Sequence, residues 1–152
     1  MKYNTQRPYA AVYAIVQNDK KEIAFVLRSN TAWMNGYYGL PAGKTEKSES
    51  SIVGVIREAK EEIGIDVKSQ HVHHAITAHR HSTEENDDAM DWIDIFFEIT
   101  KWEGEPYNAE PQVHSEMAWL DPHNLPDNVI PSLKATIDAW AKGEKYYEYG
   151  WK

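Results

Sequence analysis

The chain contains no cysteine. That excludes a disulfide framework, a thiolate zinc site and a cysteine nucleophile. No apolar run approaches the ~20 residues of a membrane span, and the first nine residues are too polar for a signal peptide. Positive charge is also scarce: 16 Lys and Arg stand against 24 Asp and Glu, a formal net charge of −8. Nucleic-acid polymers are held chiefly by cationic contacts to phosphate, so this balance argues against them as partners. A small anionic ligand is compatible with it if a divalent cation bridges the two. Internal repeats, low-complexity tracts and Gly/Ser/Pro-rich linkers are missing as well. What remains is a chain of 152 residues, 41% hydrophobic and 26% charged, too apolar for disorder and of the size of one domain. The expectation is one domain over residues 1–152, cytoplasmic, without a membrane partner, and a monomer or homodimer.

Residues 9–16 (YAAVYAIV) are apolar at almost every position, as in a strand covered on both faces. Turn residues Asn18 and Asp19 separate them from a second apolar run, 22–28 (EIAFVLR), and the two read as a hairpin. After a loop over 29–38, Gly39, Pro41 and Gly43 suit a short strand and a tight turn. Helical spacing then begins: Ile52, Val55, Ile56, Ala59 and Ile63 form one apolar stripe, with Ser48 as N-cap and Gly64 at the C-terminal end. Strands are expected over 65–78, continuous or with a bend, over 92–102 and over 113–120. Pro131 opens a terminal helix, about 131–142, in which Leu133, Ile137, Trp140 and Ala141 share a face. The fold class is α+β, an α-β-α sandwich around a mixed sheet, with helices at about 48–63 and 131–142.

The chemistry is concentrated in residues 43–65. Glu58, Glu61 and Glu62 stand at i, i+3 and i+4, so three carboxylates project from one helical face. Like charges at these spacings destabilise a helix, and a solvated acidic face is the ordinary explanation for such a run. Here Arg57 adjoins the carboxylates, within reach of Glu61 or Glu49, and a Gly/Pro-rich turn opens the helix. A hard divalent cation would neutralise the cluster, and all-oxygen ligation suits Mg²⁺ or Mn²⁺.

Gly43, Glu49, Arg57, Glu58, Ala59, Glu61, Glu62, Gly64 and Ile65 reproduce, without a gap, the pattern G-x5-E-x7-R-E-U-x-E-E-x-G-U, with U apolar. The segment resembles the Nudix box, and the order of strands around it resembles the Nudix fold. Ala42 departs from the second Gly that many members carry before the box. The resemblance implies Mg²⁺-dependent hydrolysis of a nucleoside diphosphate linked to another group, by water attack on phosphorus. It assigns Glu58 and Glu62 as metal ligands, Glu61 as a ligand or the group orienting water, and the Ala42 backbone carbonyl as a further ligand. Arg57 would hold the glutamates in place, and Glu49 would be an additional ligand or a support. Among relatives the chain is most similar to the MutT-like branch acting on (deoxy)nucleoside triphosphates. The alternatives are an ADP-ribose or nucleotide-sugar pyrophosphatase and, in a different class, a nucleotide-binding sensor without catalysis. Such a sensor would be expected to have lost a box glutamate.

Other residues are weighed against plainer roles. Arg28 can face substrate phosphates or stand at a strand end; Leu40, beside the box, is a candidate pocket residue. Trp119 can frame a base or pack in the core. His79 and Arg80 can border the pocket, although histidines alternating along 71–81 are more often an exposed strand face. Glu98 and Glu116 are candidates for an extra carboxylate from outside the helix. The acidic segment 84–98 reads as a solvated loop, and the aromatic tail 146–151 (YYEYGW) covers either the core or a partner copy.

Overall fold

The computed structural model describes residues 4–82 and 90–152. Glu84, Glu85, Asp87 and Asp88 of the acidic segment lie outside the described residues. The described residues form eight strands and two helices in the order β1 (Tyr9–Val16), β2 (Ile23–Arg28), β3 (Tyr38–Gly39), β4 (Ala42–Lys44), α1 (Ser51–Ile63), β5 (Val72–Ser82), β6 (Met90–Ile99), β7 (His114–Leu120), α2 (Pro131–Ala141) and β8 (Tyr146–Tyr149). They form two sheets, ordered β4-β1-β6-β5-β8 and β3-β2-β7. The larger is mixed: β1 runs parallel to β6 and β8 parallel to β5, while β4 is antiparallel to β1 and β5 to β6. Among the described residues no helix is long and apolar enough to cross a membrane.

The continuous apolarity of β1 has the expected cause. Val12, Ala14 and Val16 pack with Val55, Ala59 and Ile63 of α1. Ile15 enters the second cluster, with Phe25, Phe96 and the α2 residues Leu133 and Ile137. Each helix thus lies on its own apolar cluster, and the sandwich is the α+β arrangement read from the sequence.

Several boundaries differ. β1 and β2 do not form a hairpin ladder: Gln17 and Ile23 make one isolated bridge, and β2 pairs with β3 and β7 in the other sheet. The turn itself forms, with Asn18 Oδ1 accepting from the Lys20 and Glu22 amides. Both edges of β1 are already taken by β4 and β6, so β2 has no edge to join. The cap of α1 is Ser50, not Ser48. Ser50 is extended and its Oγ accepts from the Val53 amide at 3.3 Å, whereas Ser48 lies in the left-handed region at φ 65°. Ile52, expected in the buried stripe, is 38% exposed, because the buried face rotates toward Glu58 and Glu62. Ala139 rather than Ala141 completes the buried face of α2. Gly64 ends α1 with φ 72°, as its position suggested. The strand expected from Ile65 begins only at Val72, after a 3₁₀ turn at Ser69–His71. The tail lies on its own chain: β8 pairs with β5, and Trp151 Nε1–H donates to the His79 carbonyl at 2.9 Å.

Candidate active site

Arg57 organises the acidic face of α1. Its Nε and Nη2 make a two-pronged contact with Glu49 at 2.8 and 3.0 Å, and Nη1 donates to Glu58 at 2.8 Å and to Glu61 at 3.2 Å. Both reaches anticipated for this arginine, to Glu61 and to Glu49, are made. The guanidinium holds the Glu49 carboxyl down to about 2. Glu58 and Glu62 are buried, at 8% exposure each. Burial pushes Glu58 up to about 7 against the pull of Arg57, with Glu61 and Glu110 adding to the rise. Glu62 is raised well above the usual carboxylate range, first by burial; the Ala42 amide, which donates to its Oε2, opposes this, while Glu58 and Glu110 reinforce it. The approach to Glu58 depends on Gly43, where an added Cβ would stand 2.1 Å from Glu58 Oε1.

A second segment reaches the same carboxylates. The Tyr107 and Ala109 amides donate to the Ile63 and Glu62 carbonyls at 3.1 Å each, satisfying the open C-terminal end of α1. This stitching brings Glu110 and His114 to the cluster. His114 is buried, with Nε2 3.5 Å from Glu62 Oε1, and its Nδ1 has no partner among the described residues. Burial, then Arg28, lowers the His114 pKa, so the ring is neutral near pH 7. A cavity of about 360 Å³ opens beside Glu62 and Gly43, reaching Tyr13 on β1, Trp92 on β6 and Leu133 on α2.

Arg28, Leu40 and Ala42 all line that cavity. Arg28 is positioned by hydrogen bonds to the Trp33 carbonyl at 3.0 Å and Thr31 Oγ1 at 3.3 Å. Ala42 meets Glu62 through its amide. His79 and Trp119 are not brought there. Along β5 the cavity takes Arg80 and Ser82, and alternation sends His79 to the other face, against the Trp151 ring. Trp119 packs on the α1-side cluster. Glu98 accepts from Trp140 Nε1–H at 2.6 Å, and Glu116 accepts from the Tyr38 hydroxyl, so both are occupied elsewhere.

The NUDIX domain family matches residues 7–140. The chain belongs to the Nudix family. It is 31% identical over 101 residues to an Escherichia coli (strain K12) 8-oxo-dGTP diphosphatase, covering 64% of this chain and 70% of that protein. Its fold is similar to a MutT NUDIX hydrolase from Burkholderia pseudomallei, with TM-score 0.75, 22% identity and coverage of 88% and 98% of the two chains. It is also similar to a MutT protein from Methanosarcina mazei Go1, with TM-score 0.75, 23% identity and coverage of 91% and 96%. The chain is thus a Nudix pyrophosphohydrolase of MutT-like type.

The donor chemistry of this Nudix site fits a hard divalent cation. Glu58, Glu61, Glu62 and Glu110 offer only oxygen, and one guanidinium does not balance them. Among the described residues no three His, Asp or Glu side chains stand as a ready-made shell. Glu58 is held by Arg57 and Glu62 by the Ala42 amide, so taking up an ion means turning from those partners. Glu110 and His114 were not singled out from the sequence. The one available hint was the turn chemistry of Asn108 to Pro111 just before β7, where the Glu110 amide meets Asn108 Oδ1 at 3.3 Å.

Proposed function

We propose that this protein is a Mg²⁺-dependent, MutT-like hydrolase of (deoxy)nucleoside triphosphates, with Mn²⁺ able to substitute, and that residues 1–152 act as one catalytic domain. The observation that carries the reading is a single cavity joining two chemistries: the buried Glu62 carboxylate, with buried Glu58 close against the lining residue Gly43, and a wall of Tyr13, Trp92 and Phe96 suited to a base. The named activity of the Escherichia coli relative supports a triphosphate substrate.

Glu58 and Glu62 would hold the cation, with Glu61, the Ala42 carbonyl and Glu110 as further oxygens. When bound, the metal neutralises pyrophosphate charge and acidifies water. Arg57 keeps the carboxylates in register from one side, anchored in turn by Glu49. It takes Oε2 of Glu61, which leaves Oε1 to orient the attacking water and accept its proton. Arg28, on the cavity wall and within electrostatic reach of Glu62, supplies positive charge to the phosphates. Phosphoryl transfer of this kind rests on positioning and charge stabilisation and needs no protein nucleophile.

The test is phosphate release with and without added pyrophosphatase, across common and oxidised triphosphates, ADP-ribose and nucleotide sugars, with Mg²⁺ or Mn²⁺. Triphosphate turnover visible only with pyrophosphatase is expected. Glu62→Gln should lower it about 10²-fold or more with an unchanged fold, the scale of losing one electrostatic stabiliser. Preference for ADP-ribose, or undiminished turnover in the variant, would overturn the reading.

A further inference from the structure

Away from the carboxylates, the cavity contains an ion pair that hydrolysis does not use. Arg80 on β5 and Asp94 on β6 are only 9% and 3% exposed, yet both line the cavity. Arg80 Nε–H donates to Asp94 Oδ2 at 2.6 Å and Nη2–H to Oδ1 at 3.2 Å. The Tyr13 hydroxyl donates to the same Oδ1 at 3.3 Å and also lies close to the guanidinium. The Trp92 ring lies 4.8 Å from the guanidinium carbon, and Tyr13 stacks on Phe96 at 4.3 Å. A buried pair is poor value as a stabiliser, because desolvation offsets most of its attraction. Its place on a cavity wall therefore calls for another account.

A guanidinium carries five N–H donors in one plane. Asp94 engages it side-on, through Nε and Nη2, and both carboxylate oxygens are occupied. Three donors remain: one Nη1–H and the outer Nη2–H form the far edge, parallel and coplanar, and the second Nη1–H points back toward the side-chain stem. The charge is already neutralised by Asp94, so this edge does not select an anion; the arginine in the cavity without a bonded carboxylate is Arg28. The complementary group is neutral, planar and bears two adjacent hydrogen-bond acceptors. Among nucleobases that describes the O6/N7 edge of guanine and the O2/N3 edge of cytosine. Adenine sets an amino donor beside each corresponding acceptor, thymine interposes N3–H, and 8-oxoguanine carries a proton on N7.

We propose that Arg80, oriented by Asp94 and Tyr13, reads the base, selecting guanine or cytosine nucleotides over adenine, thymine and 8-oxoguanine nucleotides. This rests on the nucleotide reading given above. Two measurements on the full chain separate them. The first is kcat/KM with Mg²⁺ for dGTP, dCTP, dATP, dTTP and 8-oxo-dGTP, in the wild type and in Arg80→Lys, which keeps the charge and loses the fork. The second is calorimetric binding of dGMP, dCMP, dAMP and dTMP without metal.

The expected wild-type preference for dGTP or dCTP is about 10- to 100-fold, the range for one bidentate arginine contact. Whichever of the two leads identifies the edge that is read. Arg80→Lys should remove that preference, lowering kcat/KM for the favoured nucleotide toward that for dATP. A wild type that favours dATP, dTTP or 8-oxo-dGTP, or equal affinity for all four monophosphates, overturns the proposal without any variant. Triphosphates left intact, with dGMP or dCMP bound in an Arg80-dependent way, would overturn the triphosphate reading and support the base assignment.

Discussion

Glu58 sits between the buried face of α1 and the Arg57 guanidinium, with its carboxyl at about 7. An unfolded glutamate titrates near ~4.3, so between there and about 7 the folded protein holds a proton that the unfolded chain has lost. Folding stability from this group therefore falls as pH rises through that window. Glu62, also raised, acts in the same direction. Glu49, held at about 2, has its stabilising contribution intact above ~4.3 and loses it only as pH falls toward 2. His114, lowered by burial, opposes the two raised glutamates below about 6.5. The clean readout is thus the metal-free melting temperature from pH 5 to 7.5 in wild type and Glu58→Gln. The wild type should lose more stability across the range, and Mg²⁺ should flatten its slope; parallel curves would contradict the assignment. Gly43→Ala tests the close approach at Glu58. The added methyl meets the far end of a movable side chain, so melting should shift by only a few degrees. Under the role proposed for Glu58, activity should drop about 10²-fold, the cost of misplacing a reacting group by about an ångström. The box glutamates, Glu49 and Arg57 were legible because one local segment carries them all. Glu110 and His114 were not, since amide-to-carbonyl contacts at the end of α1 bring them in, and those leave no trace in residue type.

At the scale of elements, α1 owes its start to one hydroxyl. Ser50→Ala should cost about 1 kcal/mol and Ser48→Ala close to nothing, measured by urea unfolding; equal losses would return the cap to Ser48. Both serines precede the same periodic stripe, so residue type could not choose between them. Only the left-handed backbone at Ser48 does. The separation of β1 from β2 was hidden for a related reason. Apolarity on both faces records that a strand is buried, not which edge it joins, and the turn at Asn18 forms whether or not a ladder follows. The alternation of β5 was readable in outline, but which face held the cavity was not. That single parity put Arg80 on the cavity wall and His79 against Trp151.

For the whole molecule, β8 covers an edge of β5 that would otherwise be open, and Trp151 lies against the rings of both His79 and His81. Removing residues 146–152 should lower the melting temperature and promote self-association through the bared edge, followed by light scattering. A monodisperse, unshifted variant would show the tail to be dispensable. Both helices and most strands were legible from hydrophobic period; the division of the expected single mixed sheet into two was not, and neither was the tail's partner strand, because β8 adds as a parallel neighbour to a strand more than sixty residues earlier. The pairing of β1 with β6 has a consequence in time. Tyr9 lies beside Trp92 and Val16 beside Ile99, so more than eighty residues must be looped out before the centre of the sheet can close. Pairings so distant in sequence slow folding. Until Ile99 has left the ribosome, α1 can wind and cap itself, but the sheet that backs its carboxylates cannot yet be completed.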